Sequence, residues 1–162
     1  KGSYAGAMGW GQFMPSSYRQ YAVDGDGDGR RDLFDDLDDV IASVANYFAR
    51  KGKWQRGGPV MERAVRDAAA AEFVNPGNTV TLDQRVDGLA ALGYRAADPV
   101  AVLHMDGGQP ATLITLEGVA GPEYWIVYDN FKAITTYNIS RLYATAVYQL
   151  AQAIAGREVD GA

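Results

Sequence analysis

Cysteine is absent from the 162 residues, and histidine occurs once, at His104. Without cysteine the chain has no disulfide, no thiolate metal ligand and no thiol nucleophile. A Ser-His-Asp triad would depend on His104 alone, which lies in a predicted strand and which we interpret as a structural or surface residue. No G-x-S-x-G motif accompanies it. Covalent nucleophilic catalysis therefore finds no support in the sequence.

Long apolar runs and basic clusters are also missing. No run of about 18 apolar residues occurs, so no transmembrane helix is predicted. The formal net charge is −5, and no basic patch indicates a nucleic-acid partner. Glutamate is scarce and does not occur beside the glycine-rich N-terminal segment, so we interpret each glutamate as a surface charge. These residues are Glu62, Glu72, Glu117, Glu123 and Glu158.

The acidic charge is concentrated in one segment. Eight aspartates and two arginines lie between Asp24 and Asp39, so the rest of the chain is close to neutral. The segment begins with the pattern D-x-D-x-D-G, in which oxygen ligands two residues apart on a tightly turning loop hold a hard cation. Predicted helices on both sides favour this cation site over a solvated acidic turn that caps a helix. The candidate ligands are Asp24, Asp26, Asp28 and the backbone carbonyl of Arg30.

The ligand that closes the loop is open at this stage. Position twelve of the pattern is Asp35 rather than the usual glutamate. Asp38 and Asp39 follow closely, so any of the three could supply the last carboxylate. Because so many like charges would repel one another without a cation, the sequence predicts one structural Ca²⁺ ion.

Hydrophobic spacing predicts an α+β fold. Apolar residues recur at helical spacing over 37–50, and Ser140 begins another helix that runs to about residue 155. A shorter helix over 16–23 follows Pro15. These helices flank a segment of different composition, so we divide the chain into a helical core, an insertion, and a return to the core with a C-terminal helix. The three parts are residues 1–56, 57–131 and 132–162.

The insertion has β-like periodicity. Short gaps with turn residues separate the last three apolar runs, which predicts an antiparallel meander of these strands. A short helix opens at Thr81 or Asp83 and runs to Leu92, where Gly93 ends it. The predicted strands are residues 60–68, 100–105, 112–117 and 124–129.

Several amphipathic side chains suit a carbohydrate ligand, because rings stack on sugars while amides and hydroxyls bind their oxygens. The alternative is that the tyrosines are core residues with a solvated hydroxyl. The candidates are Ser3, Gln12, Phe13, Tyr47, Tyr137 and Tyr143.

The segment 3–18, SYAGAMGWGQFMPSSY, resembles the signature of the membrane-bound lytic transglycosylase B family. Three further blocks agree with that family in order and spacing: the acidic loop, residues 43–48, and residues 134–150. The resemblance covers essentially the whole chain.

The resemblance implies a lysozyme-like helical core with a small inserted β domain and an EF-hand-like calcium loop. It also implies a periplasmic enzyme of Gram-negative bacteria that acts on the glycan strand of peptidoglycan. The family cleaves the β-1,4 bond between N-acetylmuramic acid and N-acetylglucosamine without water, leaving a 1,6-anhydro-muramoyl end. One glutamate serves first as acid and then as base, unlike the two carboxylates of most glycosidases.

Carried over by motif, the resemblance implies a set of residues that line the saccharide cleft. It also implies that Asp39 closes the calcium loop. The implied substrate-binding residues are Ser3, Met8, Gln12, Phe13, Tyr47, Tyr137 and Tyr143.

The family's catalytic glutamate lies in a Glu-Ser/Thr-Arg-aromatic-Gly block upstream of the Ser3 segment, and no such block occurs in this sequence. We therefore expect a C-terminal portion of the enzyme that is inactive alone. Its own N-terminal segment would be a partner, and an exposed core face would favour self-association. The parent would be periplasmic, and a lipidated N-terminus not present here could anchor it to the outer membrane. Two alternatives remain: a non-catalytic calcium-dependent glycan-binding module, and a calcium-stabilised interaction domain.

Overall fold

The computed structural model describes residues 2–98 and 106–156. The chain forms two compact units, Lys1–Trp54 and Gln55–Ala162, and each is described by itself. The predicted strand at 100–105, with His104, lies outside the described residues. None of the described helices is long and apolar enough to cross a membrane.

Two helices and the acidic loop between them build the first unit. Helix α1 spans Pro15–Tyr21 and has proline in its first turn, where the missing N–H has no helical partner to lose. Helix α2 spans Leu37–Arg50. The Asp36 side chain caps α2 by accepting hydrogen bonds from the backbone N–H groups of Asp38 and Asp39. The predicted bounds of α2 are confirmed, whereas α1 ends two residues before the predicted end.

One face of α2 holds the chain that follows α1. The Ser43 hydroxyl accepts a hydrogen bond of 2.9 Å from the backbone N–H of Val23. One turn further along the helix, the Asn46 amide donates one of 2.9 Å to the carbonyl oxygen of Tyr21. Ser43 is fully buried, so this pairing satisfies a hydroxyl that would otherwise be costly to bury.

An antiparallel sheet forms the centre of the second unit. Its five strands lie in the spatial order β2-β4-β5-β1-β3. Strands β4 and β5 form a hairpin in which Gly118 pairs with Gly121, so the predicted antiparallel pairing of these two runs is confirmed. In chain order, β1 to β5 span Met61–Arg66, Gln84–Arg85, Tyr94–Ala96, Pro110–Gly118 and Gly121–Val127.

The insertion differs from the prediction at its helix. The region predicted as one helix from Thr81 or Asp83 to Leu92 is strand β2 followed by helix α3, Val86–Ala91. The predicted end is confirmed, because Gly93 has a φ of +88°, the left-handed conformation that favours glycine after a helix. The strands are also not in chain order across the sheet, since β1 pairs with both β3 and β5. Of the predicted meander, the pairing of the last two runs is confirmed, and the run at 100–105 lies outside the described residues.

Alternate residues of each strand point to opposite sides of the sheet, and helices cover both sides. Helices α4, Asp129–Tyr137, and α5, Arg141–Ile154, cover one face. The apolar spacing did not predict α4, which runs through the boundary expected at residue 131. Helix α3 covers the other face through Leu89. The α4–α5 face buries Met61, Ile114, Trp125 and Val127, and the α3 face buries Ala64, Leu113, Ile126 and Tyr128.

Glu62 is a correction to the sequence analysis, which placed it on the surface. It lies on β1 and is only 9% exposed. Inside the core its side chain accepts a hydrogen bond from the hydroxyl of Tyr128. Its second carboxyl oxygen is buried with no hydrogen-bond partner among the described residues. Burial is the main cause of a raised pKa for Glu62, and the charge of Asp98 adds to it.

We predict that Glu62→Gln changes how stability depends on pH. The raised pKa means that the folded state keeps the proton where the unfolded chain has lost it. The contribution of Glu62 to stability is therefore greatest at acid pH and falls as the pH rises from the ordinary pKa of 4.5 to the raised one. The glutamine variant should lack this fall and be more stable above that range by about 1 kcal/mol or more, because a charged, unpartnered oxygen is no longer buried.

Thermal unfolding followed by circular dichroism between about pH 4 and pH 8 measures this effect. Glu117→Gln is the matched control, because Glu117 is an exposed residue of strand β4. Parallel pH profiles for the wild type and the Glu62 variant would contradict the prediction.

Candidate functional site

The glycine-rich N-terminal segment forms a tight turn rather than a helix. The backbones of Met8 and Phe13 exchange two hydrogen bonds of 2.9 and 3.0 Å. Gln12 has a φ of +48°, which is rare for a residue with a side chain and is typical of functional sites. Its amide donates a hydrogen bond of 2.8 Å to the carbonyl oxygen of Gly9. The turn therefore holds Gln12 at the surface in a fixed orientation.

Buried aromatic rings support this turn from beneath. Phe13 is 2% exposed and Tyr47 is 8% exposed, and their ring centroids are 5.8 Å apart. Tyr21 packs edge-on against Tyr47 at 5.0 Å. Burial raises the pKa of Tyr47, so its hydroxyl is neutral at physiological pH. Phe13 and Tyr47 thus lie under the turn, while Ser3 is exposed, as is Gln12.

The acidic loop is folded around its own backbone. The carboxylate of Asp24 accepts hydrogen bonds from the N–H groups of Gly27, at 2.6 Å, and Gly29, at 2.8 Å. These two bonds, first the one from Gly29, lower the pKa of Asp24. Both glycines have a φ near +90°, which explains why small residues alternate with aspartates here.

Asp39 closes the loop from the first turn of α2. It is 1% exposed and accepts hydrogen bonds from the N–H groups of Gly25, at 2.6 Å, and Asp32, at 2.5 Å. A Cβ at Gly25 would overlap the carbonyl group of Asp38, so glycine is required where the loop meets the helix. Of the three carboxylates left open by the pattern, the structure brings Asp39 into the loop.

Three carboxylates converge in this loop. One oxygen from each of Asp24, Asp26 and Asp39 lies within 4.8 Å of the others. Asp28 instead accepts a hydrogen bond of 2.7 Å from the backbone N–H of Arg30, and Asp35 is exposed. Carboxylate oxygens are the donors that Ca²⁺ prefers, so the residues present fit such an ion.

The charge balance also fits a cation. At Asp26 the N–H of Asp28 pulls the pKa down, but desolvation of the carboxylate and the negative charges of Asp28 and Asp36 outweigh it and raise the pKa. Asp26 is therefore held among like charges, which a divalent cation would neutralise.

The acidic loop is joined to the glycine-rich turn through Trp10, which the sequence analysis did not include among the site residues. The backbone N–H of Trp10 donates to the carbonyl oxygen of Leu33 at 2.8 Å, and its indole N–H donates to that of Phe34 at 2.8 Å. A Cβ at Gly9 would overlap the carbonyl group of Leu33. The two segments are therefore packed backbone against backbone. The sequence signal that could have found Trp10 is an aromatic residue between two glycines.

Tyr137 and Tyr143 lie in the second unit. Tyr137 is the last residue of α4 and is partly buried. Tyr143 is 36% exposed in the first turn of α5, where its backbone N–H bonds the capping hydroxyl of Ser140 at 3.1 Å. The sequence analysis places these tyrosines in the same cleft as Ser3 and Gln12, which belong to the first unit. That arrangement stays a prediction.

Comparison with known proteins decides the family. The family model described as the transglycosylase SLT domain matches residues 1–152. The chain belongs to this family. It is 45% identical over 157 residues to the membrane-bound lytic murein transglycosylase B of Escherichia coli, a match that covers 96% of this chain and 40% of that protein.

Solved structures agree with this assignment. A catenated lytic transglycosylase from Pseudomonas aeruginosa matches with a TM-score of 0.83 at 44% identity, covering 96% of this chain and 49% of that chain. A lytic transglycosylase of Escherichia coli in complex with calcium matches with a TM-score of 0.79 at 44% identity, covering 96% and 46%. The chain thus spans less than half the length of these relatives.

Arg141 fixes the start of helix α5 in this SLT-domain chain. It is 5% exposed, and its guanidinium donates to the carbonyl oxygens of Asn75, at 2.7 Å, and Thr79, at 2.6 Å. A third bond of 2.8 Å goes to the side-chain oxygen of Asn75. Burial lowers the pKa of Arg141. The loop at 75–79 and the helix that carries Tyr143 are therefore held together by one side chain.

We predict that Arg141→Lys destabilises the second unit by about 1–3 kcal/mol, because the ammonium cannot reach all three acceptors and leaves buried carbonyl oxygens unpaired. Urea denaturation measures the loss. Arg95→Lys is the control, because its ion pair with Asp67 is largely exposed and contributes little. Equal urea midpoints for the two variants would show that Arg141 does not fasten this loop.

Proposed function

We propose that this chain is part of a peptidoglycan lytic transglycosylase, in which it contributes one wall of the saccharide cleft and a calcium site. The observation that carries the proposal is the surface turn from Met8 to Phe13. In this turn the backbone of Gln12 is strained, and its side-chain amide is held in place by a hydrogen bond. The family match and the name of the murein transglycosylase relative support peptidoglycan as the substrate.

In the proposed reaction, the whole protein cleaves the β-1,4 bond between N-acetylmuramic acid and N-acetylglucosamine and leaves a 1,6-anhydro-muramoyl end. Ser3 and Gln12 are proposed to offer polar groups to the sugars, and Met8, paired with Phe13 through its backbone, is a further proposed substrate-binding residue. Phe13 and Tyr47 hold the turn from beneath. Tyr137 and Tyr143, in residues 132–162, are proposed from the family resemblance as further substrate-binding residues, and the proposed core architecture is lysozyme-like.

The acid that protonates the glycosidic oxygen is proposed to lie in a part of the protein outside this chain. A general acid must reach the substrate and have a raised pKa. Glu62 meets only the second condition, because it is buried beneath the sheet against Tyr128. The coverage of less than half of each relative supports an acid supplied by another segment. The exposed apolar residues Leu37 and Ile41 of α2 offer a surface on which that segment could pack.

We predict that this chain alone releases no 1,6-anhydro-muropeptides from purified sacculi, whereas the full-length protein does. Loss of a general acid alone removes about 10²–10⁴-fold of the rate, and here one residue is proposed for both proton transfers. Mass spectrometry of the soluble products measures the reaction.

Gln12→Ala in the full-length protein should reduce the rate, and Gln55→Ala is the matched control because Gln55 is exposed and is not among the proposed substrate-binding residues. Products from the chain alone that disappear with Glu62→Gln would place the acid within this chain. A full-length protein that binds sacculi without releasing these products would favour the non-catalytic glycan-binding module.

For the cation, we propose an EF-hand-like calcium site held by Asp24, Asp26 and Asp39, with Asp28 and the Arg30 carbonyl completing the shell. The ion would neutralise the converging carboxylates and tie the loop to α2. Its role is structural. The convergence of three carboxylates and the calcium complex of a relative support this assignment. The periplasm, where we propose the protein acts, suits both the ion and the substrate.

We predict that Ca²⁺ raises the melting temperature of the chain relative to a chelator. An ion that binds only the folded form stabilises it by about 2.7 kcal/mol at a hundredfold excess over its dissociation constant. Asp26→Asn should abolish most of this gain, since it removes one converging charge and leaves in place the backbone N–H groups that bond Asp24 and Asp39. Differential scanning calorimetry with and without Ca²⁺ measures it.

Asp35→Asn is the matched control, because Asp35 is exposed and outside the converging group. It should keep the full response to Ca²⁺. Identical melting temperatures in calcium and in chelator would contradict the cation site. Loss of the Ca²⁺ response in the Asp35 variant would indicate that Asp35 rather than Asp39 supplies the closing carboxylate.

A further inference from the structure

We propose that Trp10 and Phe34 form a sugar-stacking subsite beside Gln12, which takes a neutral N-acetylated pyranose. This inference rests on the proposed function, because it assigns further residues to the same saccharide wall. Trp10 and Phe34 lie 24 residues apart in the chain and meet through the indole hydrogen bond.

The Trp10 ring is exposed and fixed at the same time. Its side chain is 73% exposed, yet its backbone N–H and its indole N–H both donate hydrogen bonds of 2.8 Å, to Leu33 and Phe34. An exposed tryptophan has a large apolar surface in water, which costs free energy unless a ligand covers it. Because the ring is already held in place, a ligand that stacks on it loses little conformational entropy.

Phe34 supplies a second exposed ring at the same place. It is 45% exposed, and its backbone N–H donates a hydrogen bond of 2.8 Å to the carboxylate of Asp32. Its carbonyl oxygen accepts the indole bond from Trp10. Two hydrogen bonds therefore hold the backbone of Phe34 in place, one to Asp32 and one from Trp10.

Both residues line a shallow cavity of about 290 Å³, together with Gly9 and Gln12. This volume is at the lower end of the range for small-molecule sites, so it fits one sugar unit rather than a longer ligand. Gly9 lies against the Leu33 backbone and leaves no side chain over the floor.

The lining selects the chemistry of the ligand. The aromatic rings match the C–H face of a pyranose, and the Gln12 amide retains hydrogen-bonding capacity for a hydroxyl or acetamido group after its bond to Gly9. The lining contains no charged side chain, and the nearby acidic loop would repel a carboxylate. A neutral N-acetylated sugar therefore fits better than a sugar that carries an anionic substituent.

The experiment titrates the ¹⁵N-labelled chain with chitotetraose, a neutral oligomer of N-acetylglucosamine. The sequence has three tryptophans, so three indole N–H signals are expected. The signal of Trp10 should shift on addition of the sugar, while those of Trp54 and Trp125 stay in place. The Gln12 backbone signal reports binding to the proposed cleft independently of the tryptophans.

Variants separate stacking from folding. Trp10→Ala should weaken chitotetraose binding at least tenfold, and Trp10→Phe should have an intermediate effect because it keeps a ring but loses the indole bond. Phe34→Ala should weaken binding less than Trp10→Ala does. Trp54→Phe is the matched control: Trp54 is also exposed in the first unit but packs on Phe48 at 6.1 Å, and the variant should bind as the wild type does.

The outcomes distinguish this proposal from the proposed function. Unchanged affinity in the Trp10 and Phe34 variants, together with a shift of the Gln12 signal, would overturn the stacking subsite and leave the saccharide wall in place. Absence of any shift in the wild-type chain would contradict both.

Discussion

The buried carboxylate of Asp39 is the constraint on which the first unit depends. It sits in the first turn of α2 and accepts hydrogen bonds from the N–H groups of Gly25 and Asp32, at the beginning and the end of the acidic loop. A carboxylate with almost no access to water must be compensated by such donors or by a cation. One side chain therefore fixes both ends of the loop to the helix. The residues that follow, Leu33 and Phe34, are placed as a consequence.

The acidic loop in turn positions the surface turn from Met8 to Phe13. Leu33 and Phe34 accept the two hydrogen bonds of Trp10, so the glycine-rich segment is held against the end of the acidic loop. Beneath the turn lie the buried rings of Phe13 and Tyr47. The polar and aromatic groups proposed to meet a sugar thus stand on a rigid support, as precise binding requires. Calcium, in the proposed role, would stabilise the same support rather than touch the ligand.

The second unit depends on buried polar groups of another kind. Arg141 satisfies three oxygens and is itself without a carboxylate among the partners named above, while Glu62 has one oxygen paired with Tyr128 and one unpaired. Each would be costly to bury alone. Arg141 joins a loop to a helix, which explains its burial. The described contacts of Glu62 join no such elements, so they do not explain its burial. Its raised pKa does not make it a catalytic acid, because a buried carboxyl group is out of reach of the substrate.

The sequence by itself determined the elements whose signals are local. The bounds of α2 and the start of α5 follow from a capping Asp36 or Ser140 and from apolar residues three and four positions apart, and Gly93 marks a helix end. The acidic loop and the family motifs are likewise read within a few residues. Only the tertiary structure decided that β1 lies between β5 and β3 and that Glu62 is buried. It also brings Asp39 to Asp24 and Asp26, a choice that the loop pattern left open and only the family resemblance implied. These outcomes rest on pairings between residues far apart in the chain, whose free energy comes from burial and from hydrogen bonds that no short window of sequence contains. Trp10 illustrates the difference, because its role depends on carbonyl oxygens more than twenty residues away.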